Sequence, residues 1–569
     1  MTTFNLLQSC PRAMSPSLPR ELEGLSLLPN DDLSGNLERK LDLFPVVIIS
    51  LSAMIGSGLF VLPALAMLEM GGGHTPVGGV WLAYLLAAVV VLPAAISKSE
   101  LATAMPSSGG SYVYVQETFG PLIGTISGLG LWANFMLKSA FALIGFKAYL
   151  WVIEDVIGFD INIESAAMVL LLLIVGINIL GLKRIKKVQT PIVMTSAAFL
   201  LGICVWALFT MEMNWDAAFS RDSFGTGLDS VATTAAFVFV SYAGVTKIAA
   251  VGGEIRDPGK TIPKGILLSL LFSTILYVFV TMVMAMTVEP EMFMEGSNHH
   301  AREDPVYLFA AEVGGADIGL IAAVLSVITM TSMALAGIMA ASRFPYAMSV
   351  DKLLPEVMGE VHDKFHTPHW AIIATGLSMA AAITFLPVHD VAELASGFKI
   401  MIFIVINGCV IVLRGAASSH WYNPEWQSPM YPFFQIFGIL GGMALLLLMG
   451  SKALIGGGAA IVLGTIIYTT YGQKHVKSEI TPWKTYVLMS RDPIEVERRR
   501  RMASFHLADT DRSGAIDLGE FIAAAEMLGF SEGDHAELEE QFRSADTDEN
   551  GLMDIDEYAV IVDKMISGD

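Results

Sequence analysis

The sequence predicts an all-α membrane protein of about twelve transmembrane helices, followed by a small, acidic all-α unit. Three observations lead there. The chain of 569 residues is 54% hydrophobic and only 16% charged, and its mean hydropathy is +0.59, too apolar for a water-soluble protein. Apolar runs of about 20 residues, the length that crosses a ~30 Å hydrocarbon core, recur through most of the chain. The net charge of -21 is concentrated at one end, where residues 501–569 hold 18 acids against 4 bases, or -14. That balance argues against nucleic acid and against docking on anionic lipid, and it suits a cation ligand.

Residues 1–40 are polar and mixed, lack the apolar core and cleavage site of a signal peptide, and read as a flexible cytoplasmic tail. A transmembrane domain follows over 41–472, with spans near 44–68, 78–97, 121–153, 165–182, 191–211, 230–251, 264–288, 316–343, 369–386, 391–413, 432–450 and 453–471. Alternate loops carry Lys98, then Lys183, Arg184, Lys186 and Lys187, then Arg256, Lys260 and Lys264, then Arg343, Lys352, Lys364 and Arg414. The opposite loops offer Arg221, Arg302 and Lys452. The asymmetry places both termini in the cytoplasm, with the plasma membrane as the expected location. The outside segment 289–315 contains an amphipathic stretch at Pro305–Phe309, readable as a short lid helix or as a plain loop. A polar linker covers 473–497, and 498–569 form the acidic unit, opening on the basic run Arg498–Arg501. Of Cys10, Cys204 and Cys409, the last two lie in apolar runs, so no disulfide framework is suggested.

Two spans are interrupted by small residues. The first reads Ser52-Ala53-Met54-Ile55-Gly56-Ser57-Gly58, and the sixth reads Phe239-Val240-Ser241-Tyr242-Ala243-Gly244. Discontinuous helices at corresponding places predict a five-plus-five inverted repeat, spans 1–5 and 6–10, with a site where the breaks meet. A break frees N–H groups that suit a carboxylate and C=O groups that suit an ammonium or metal cation. The alternative is a seam where small residues let helices pack closely. A near-match to a phosphate-binding loop at Gly253–Thr261 has the wrong glycine spacing and no preceding strand, so transport driven by nucleotide is not expected.

Four motifs give the chain a resemblance to a known group: Gly56-Ser57-Gly58-Leu59-Phe60; Glu100 with Pro106, Gly109, Gly110, Tyr112 and Gly120; Gly244 with Glu254, Asp257-Pro258 and Ile262-Pro263; and Ser342-Arg343 with Leu354-Pro355. Over roughly 40–470 the sequence resembles the amino acid-polyamine-organocation superfamily, whose fold is leucine-transporter-like. The resemblance implies secondary transport of an amino acid or related amine by alternating access. It nominates Gly56, Ser57 and Gly58 for the substrate carboxylate, and Phe239, Ser241, Tyr242, Ala243 and Gly244 for the amino group and side chain. Phe239 and Tyr242 would form a gate or pocket wall, or would simply pack. Ser196 stands where some proton-coupled relatives carry a lysine, which speaks against lysine-based coupling; Thr331 and Ser332 are candidate sodium ligands. Na+ or H+ thus remain the candidate coupling ions. Rival readings are an exchanger without ion coupling, and a calcium-linked sensor that moves little substrate.

Charged residues inside spans are costly and need a function or a partner. Lys247, three residues past Gly244, lies within reach of the site; Lys138, Lys147 and Lys399 read as snorkelling or paired groups, and Glu393 shares a span with Lys399.

The acidic unit holds the most specific local pattern. Residues 509–520 read DTDRSGAIDLGE and 546–557 read DTDENGLMDIDE, two twelve-residue EF-hand calcium loops. Oxygens come from Asp509, Asp511 and Ser513, the carbonyl of Ala515, Asp517 and Glu520 in the first, and from Asp546, Asp548 and Asn550, the carbonyl of Leu552, Asp554 and Glu557 in the second. Gly514 and Gly551 make the required turn. The spacing predicts a paired calmodulin-like unit binding two Ca2+, and the tail is expected to contact the cytoplasmic loops of the same chain. Met502, Phe505, Phe521, Met527, Phe542 and Met553 are candidates to line a groove or to form its core.

Overall fold

The computed structural model describes residues 41–105, 110–157, 163–181, 185–249, 252, 255–295, 300–416, 422, 424–476, 481–489, 515–527, 535–546, 551–554 and 557–558. Outside them lie the N-terminal tail with Cys10, motif residues Pro106, Gly109 and Glu254, loop residues Lys183 and Arg184, the run Arg498–Arg501, Met502 and Phe505.

The described chain is almost entirely helical. Eight helices are long and apolar enough to cross a membrane: Val80–Ala104, Pro121–Trp151, Gln189–Thr210, Leu228–Val245, Pro258–Thr287, Ala316–Val350, Val388–Gly415 and Ser451–His475. Three shorter apolar helices, Ser165–Ile179, His369–Phe385 and Phe433–Leu448, accompany them. The first apolar stretch is divided into Leu43–Leu51, Ser57–Phe60 and Leu62–Met70. The chain is therefore an all-α, multi-span membrane protein with a small helical C-terminal region.

Burial orders the bundle. The helix Pro121–Trp151 lies at its centre, 78% buried over its most apolar window, packed on Ala316–Ala341 and Val388–Gly415; Ser451–His475 at the rim is 17% buried. Exposed Phe209, Leu172, Phe385 and Leu447 line the outer surface, as expected where hydrocarbon and not water is the solvent. Within 289–315, Met294–Glu295 pairs antiparallel with His300–Ala301, and Pro305–Gly314 forms a helix. Val306 and Phe309 of that helix are buried, and Tyr307 meets Trp151 edge-on at 4.8 Å.

One end of the bundle is tied by a fully buried carboxylate. Glu100 accepts two hydrogen bonds of 2.7 Å from Arg414, one of 2.8 Å from the Tyr422 hydroxyl and one of 2.8 Å from the Ser428 amide. Burial, together with the Glu100 charge, pushes the Tyr422 phenol well above its ordinary pKa. Arg414 also stacks over Tyr431 at 4.4 Å.

The stretch read as a polar linker contains a docked helix, Pro482–Met489. Trp483 meets Phe119 at 5.6 Å, and Tyr486 lies so close to Gly415 that a Cβ there would come within 2.4 Å of its ring. Apolar residues at 483 and 486 share a helix face, which the mean polarity of the segment conceals.

Candidate functional site

The two interruptions meet inside the bundle, and they are built differently. In the first, the chain leaves the helix after Leu51 and resumes at Ser57, passing through extended backbone at Gly56. In the second, the α-helix Leu228–Val238 tightens into a 3-10 helix, Phe239–Lys247. The interruption expected there takes the form of rewinding and not of an open gap, a local change that often marks a hinge.

Carbonyls released by these changes are taken up by side chains from distant helices. Tyr84 donates to Gly58 O at 2.9 Å, Tyr149 to Phe60 O at 2.6 Å, and the Tyr277 hydroxyl lies 2.7 Å from Met54 O and 3.1 Å from Ser241 O. Tyr242 donates to Tyr84 O at 2.9 Å, and Ser50 donates to Gly244 O at 3.2 Å. Tyr84, Tyr242 and Tyr277 cluster, with ring centroids 5.2 Å apart in two of the pairs.

Lys138 completes the junction. Its buried ammonium donates to Ala53 O of the first interruption at 2.6 Å and to Val240 O of the second at 3.2 Å. The snorkelling or ion-pair reading of Lys138 is therefore corrected, because its partners are main-chain oxygens. Lys399, also buried, sits over the Phe403 ring at 4.6 Å instead of reaching an interface. Glu393 accepts from the Ala453 amide at 3.1 Å.

Of the nominated residues, Gly58 and Ser241 are in direct contact, and Gly244 lies against Ser50, Ala53 and Met54. A Cβ on Gly58 would stand 2.8 Å from Ser241 Oγ; one on Gly244 would stand 2.5 Å from Met54 and 2.7 Å from Ser50 O. These glycines thus also act as the packing seam that was the alternative reading. Gly56 faces Met333, whose sulfur the Ser57 hydroxyl approaches at 3.8 Å. Phe239 is turned to Phe403, edge-on at 5.6 Å. Ala243 and Gly244 line a small cavity of about 20 Å³ beside the junction, together with Ala53, Lys138, Lys247 and Met333. Thr331 bonds back to Val327 O at 2.8 Å, while Ser196 meets Thr329 at 2.7 Å.

Sequence reasoning missed Tyr84, Tyr149, Tyr277 and Ser396, the last of which accepts from the Val240 amide and donates to Phe237 O. Their signal is a polar atom in mid-span; their partners come from other helices.

In the acidic unit, Asp509, Asp511, Ser513, Gly514, Asp548 and Asn550 lie outside the described residues. Asp517 and Glu520 cap each other's backbone amides, Asp554 and Glu557 do the same, and Asp546 accepts from the Gly551 amide at 2.8 Å. Gly551 has φ 76°, the left-handed conformation of the sharp turn. The loops pair through Ile516 and Met553, with reciprocal bonds of 2.9 and 2.8 Å. Phe521, Phe542 and Met553 are buried core with Leu538 and Tyr558. Oxygen donors on two paired loops fit a hard divalent cation.

Interrupted helices joined inside a many-helix apolar bundle define a polytopic membrane carrier. Comparison with known proteins gives the family: residues 45–468 match the amino acid permease model and 498–562 match that of the EF-hand domain pair, so the chain belongs to the amino acid permease family, with an EF-hand pair fused at its C-terminal end. It is a secondary transporter of amino acids or related amines, not an enzyme. The branched-chain amino acid permease BcaP of Bacillus subtilis is 28% identical over 459 residues, spanning 78% of this chain and 95% of the relative. The methylthioribose transporter of the same organism is 27% identical, spanning 79% and 97%, and its serine/threonine exchanger SteT is 24% identical, spanning 72% and 91%.

Proposed function

We propose that the chain moves an amino acid or related amine by alternating access on a leucine-transporter-like, five-plus-five inverted repeat, and that cytoplasmic calcium adjusts this movement through the EF-hand tail. The observation that carries the transport reading is the meeting of the first, interrupted segment with the rewound sixth, where main-chain carbonyls of both accept from side chains of other helices. Irregular backbone at this depth is tolerable where it lines a site. The eight long helices, the three shorter ones and the divided first segment are twelve apolar segments, a number that supports a ten-span repeat followed by two further spans. The Gly56-Ser57-Gly58 turn would take the substrate carboxylate, and Ser241, Tyr242, Ala243 and Gly244 the other end; Phe239 supports the wall through Phe403. Lysine and arginine asymmetry supports cytoplasmic termini.

The test is uptake into proteoliposomes of labelled amino acids under imposed sodium or proton gradients. Accumulation above the equilibrium level under one gradient supports coupled uptake. Uptake that survives collapse of both gradients and is accelerated by internal substrate selects exchange, a reading favoured by the name of the SteT relative. No uptake of any amino acid overturns transport and leaves a sensor.

Calcium would be held by Asp509, Asp511, Ser513, Ala515 O, Asp517 and Glu520, and by Asp546, Asp548, Asn550, Leu552 O, Asp554 and Glu557. Support for control comes from the helix Pro482–Met489, which precedes the pair and rests on Phe119 and Gly415. A ligand shifts a conformational balance only by its unequal affinity for the two states, so substrate should in turn alter calcium affinity. Uptake by the parent is expected to differ about fivefold between clamped low and tens-of-micromolar internal calcium, and Glu520→Gln with Glu557→Gln should erase the difference. Equal parental uptake at both levels defeats the regulatory claim.

A further inference from the structure

We propose that the central helix Pro121–Trp151 carries two opposed latches on the first segment, Lys138 for its inner half and Tyr149 for its outer half. These two positioning residues decide which side of the carrier opens. The inference rests on the transport reading above and takes its inside and outside from the cytoplasmic termini proposed with it. It begins at the break: the inner helix ends at Leu51, the outer part starts at Ser57, and the backbone between them is extended at Gly56. Two half-segments joined by non-helical chain can move separately, each with the groups that hold it.

Lys138 holds the inner half, since its ammonium donates to Ala53 O, before Gly56, at 2.6 Å and to Val240 O of the rewound sixth segment at 3.2 Å. Tyr149 holds the outer half. Its hydroxyl donates to Phe60 O, after Gly56, at 2.6 Å and accepts from the Val306 amide of the helix Pro305–Gly314 at 3.3 Å. Among the described residues, these are the two side chains of Pro121–Trp151 that hydrogen-bond to the first segment. They stand about 16 Å apart along one helix axis, at about 1.5 Å per residue. The post that carries them is fixed, being 78% buried over its most apolar window and packed on Ala316–Ala341 and Val388–Gly415. Each latch also ties its half of the first segment to a neighbour on the same side, the sixth segment inside and the short helix Pro305–Gly314 outside. Opening toward one side parts that half-segment from the post, so it breaks the latch on that side while the other stays closed, and entering water meets the freed carbonyls. Both latches are closed in this structure, and the cavity beside Lys138 has room for about one water. The inner latch is the costlier to release, because its donor is charged and the phenol is neutral.

Cysteine labelling tests this without a substrate. Ser52→Cys, on the wall of that cavity, reports inner opening, and Leu68→Cys, near the end of the outer half, reports outer opening. A membrane-impermeant maleimide is applied to the full-length protein in inverted and in right-side-out vesicles, and each rate is read against the chain without the added cysteine. Lys138→Met is expected to speed labelling of Ser52→Cys in inverted vesicles by about tenfold or more, and to leave Leu68→Cys in right-side-out vesicles unchanged or slower. Tyr149→Phe, which keeps the ring, should do the reverse, speeding Leu68→Cys by about fivefold and sparing Ser52→Cys. If Lys138→Met does not give monodisperse protein, Lys138→Gln replaces it with the same expected direction, and the Tyr149→Phe arm stands by itself. A variant that speeds both reporters, as plain destabilisation does, or that fails to speed its own, overturns the latches; with parental uptake intact, amino acid transport still stands. Absence of parental uptake for every amino acid in the panel removes the transport reading and this inference together.

Discussion

The helix Val388–Gly415 is fastened at both ends, and the two fastenings differ in kind. At its C-terminal end, Arg414 grips the fully buried Glu100, whose carboxylate receives four hydrogen bonds. At its N-terminal end, His389 meets Glu69 of the divided first segment at 3.0 Å, both partly exposed, while neighbouring Asp390 pairs with the exposed Lys452 at 2.6 Å. The His389 ring also stacks on Phe237 of the sixth segment at 4.7 Å. A buried carboxylate with every acceptor satisfied is expensive to disturb, whereas a solvated pair contributes little. The difference predicts that the Glu100 end is the firmer anchor and the His389 end the one more readily parted.

Arg414→Met should break the comparison most severely. It leaves the Glu100 carboxylate buried with half of its hydrogen bonds, at a cost of about 3–5 kcal/mol, read as a lower unfolding temperature and loss of monodisperse protein. The double variant Arg414→Met with Glu100→Met should recover much of that loss, since an apolar pair no longer strands a charge. If the single variant is as stable as the parent, the knot is not the anchor.

A smaller effect is expected at the seam between the interruptions. Gly58→Ala places a methyl against Ser241 and should reduce uptake while costing about 1–3 kcal/mol in stability. Ser241→Gly in the same chain removes the obstacle. Return of stability without uptake would show that the methyl obstructs the Gly58 amide as well as the packing; return of both would reduce the motif to a seam.

Tyr422→Phe comes next. It removes one hydroxyl from the charged Glu100 knot and leaves three donors, so about 1.5 kcal/mol is expected, with uptake largely retained. A loss as large as that of Arg414→Met would mean that Tyr422, not the guanidinium, holds the knot.

Much of this arrangement was legible in the sequence where the signal is local. Apolar runs gave the helices, and Gly56, Gly58 and Gly244 marked the interruptions because backbone contact requires the missing Cβ. The EF-hand pair was legible from its local pattern, since each loop's signature falls within twelve positions. Long-range pairings were not. Glu100 stood out through its motif, but Arg414 lies 314 positions away, and nothing in the spans tells which face meets which. Lys138 looked like a snorkelling group because the main-chain carbonyls it reaches, at 53 and 240, belong to distant segments that its own span does not reveal. Helix Pro482–Met489 was hidden by polar neighbours, although Trp483 and Tyr486 are three apart.

The least disruptive change concerns the solvated end. His389→Ala removes the bond to Glu69 and the stacking on Phe237, but both partners of the ion pair are partly exposed, so stability should fall by about 1 kcal/mol or less. The same small term acts on the balance between conformations, where it is not small. Glu69 belongs to the first segment, Phe237 to the sixth, and His389 to the helix that the Glu100 knot fixes at its other end, so parting these three separates both interrupted segments from an anchored support. Loss of about 1 kcal/mol from the joined state multiplies the ratio of parted to joined molecules about fivefold. A cysteine at Leu68, beside Glu69, reports that ratio. Its labelling by a membrane-impermeant maleimide should be several times faster with His389→Ala than with His389 intact, at nearly equal unfolding temperature. Equal labelling rates would make the pair an incidental surface contact; faster labelling with a large fall in unfolding temperature would make it an anchor like its counterpart, and the distinction between the two ends would be lost.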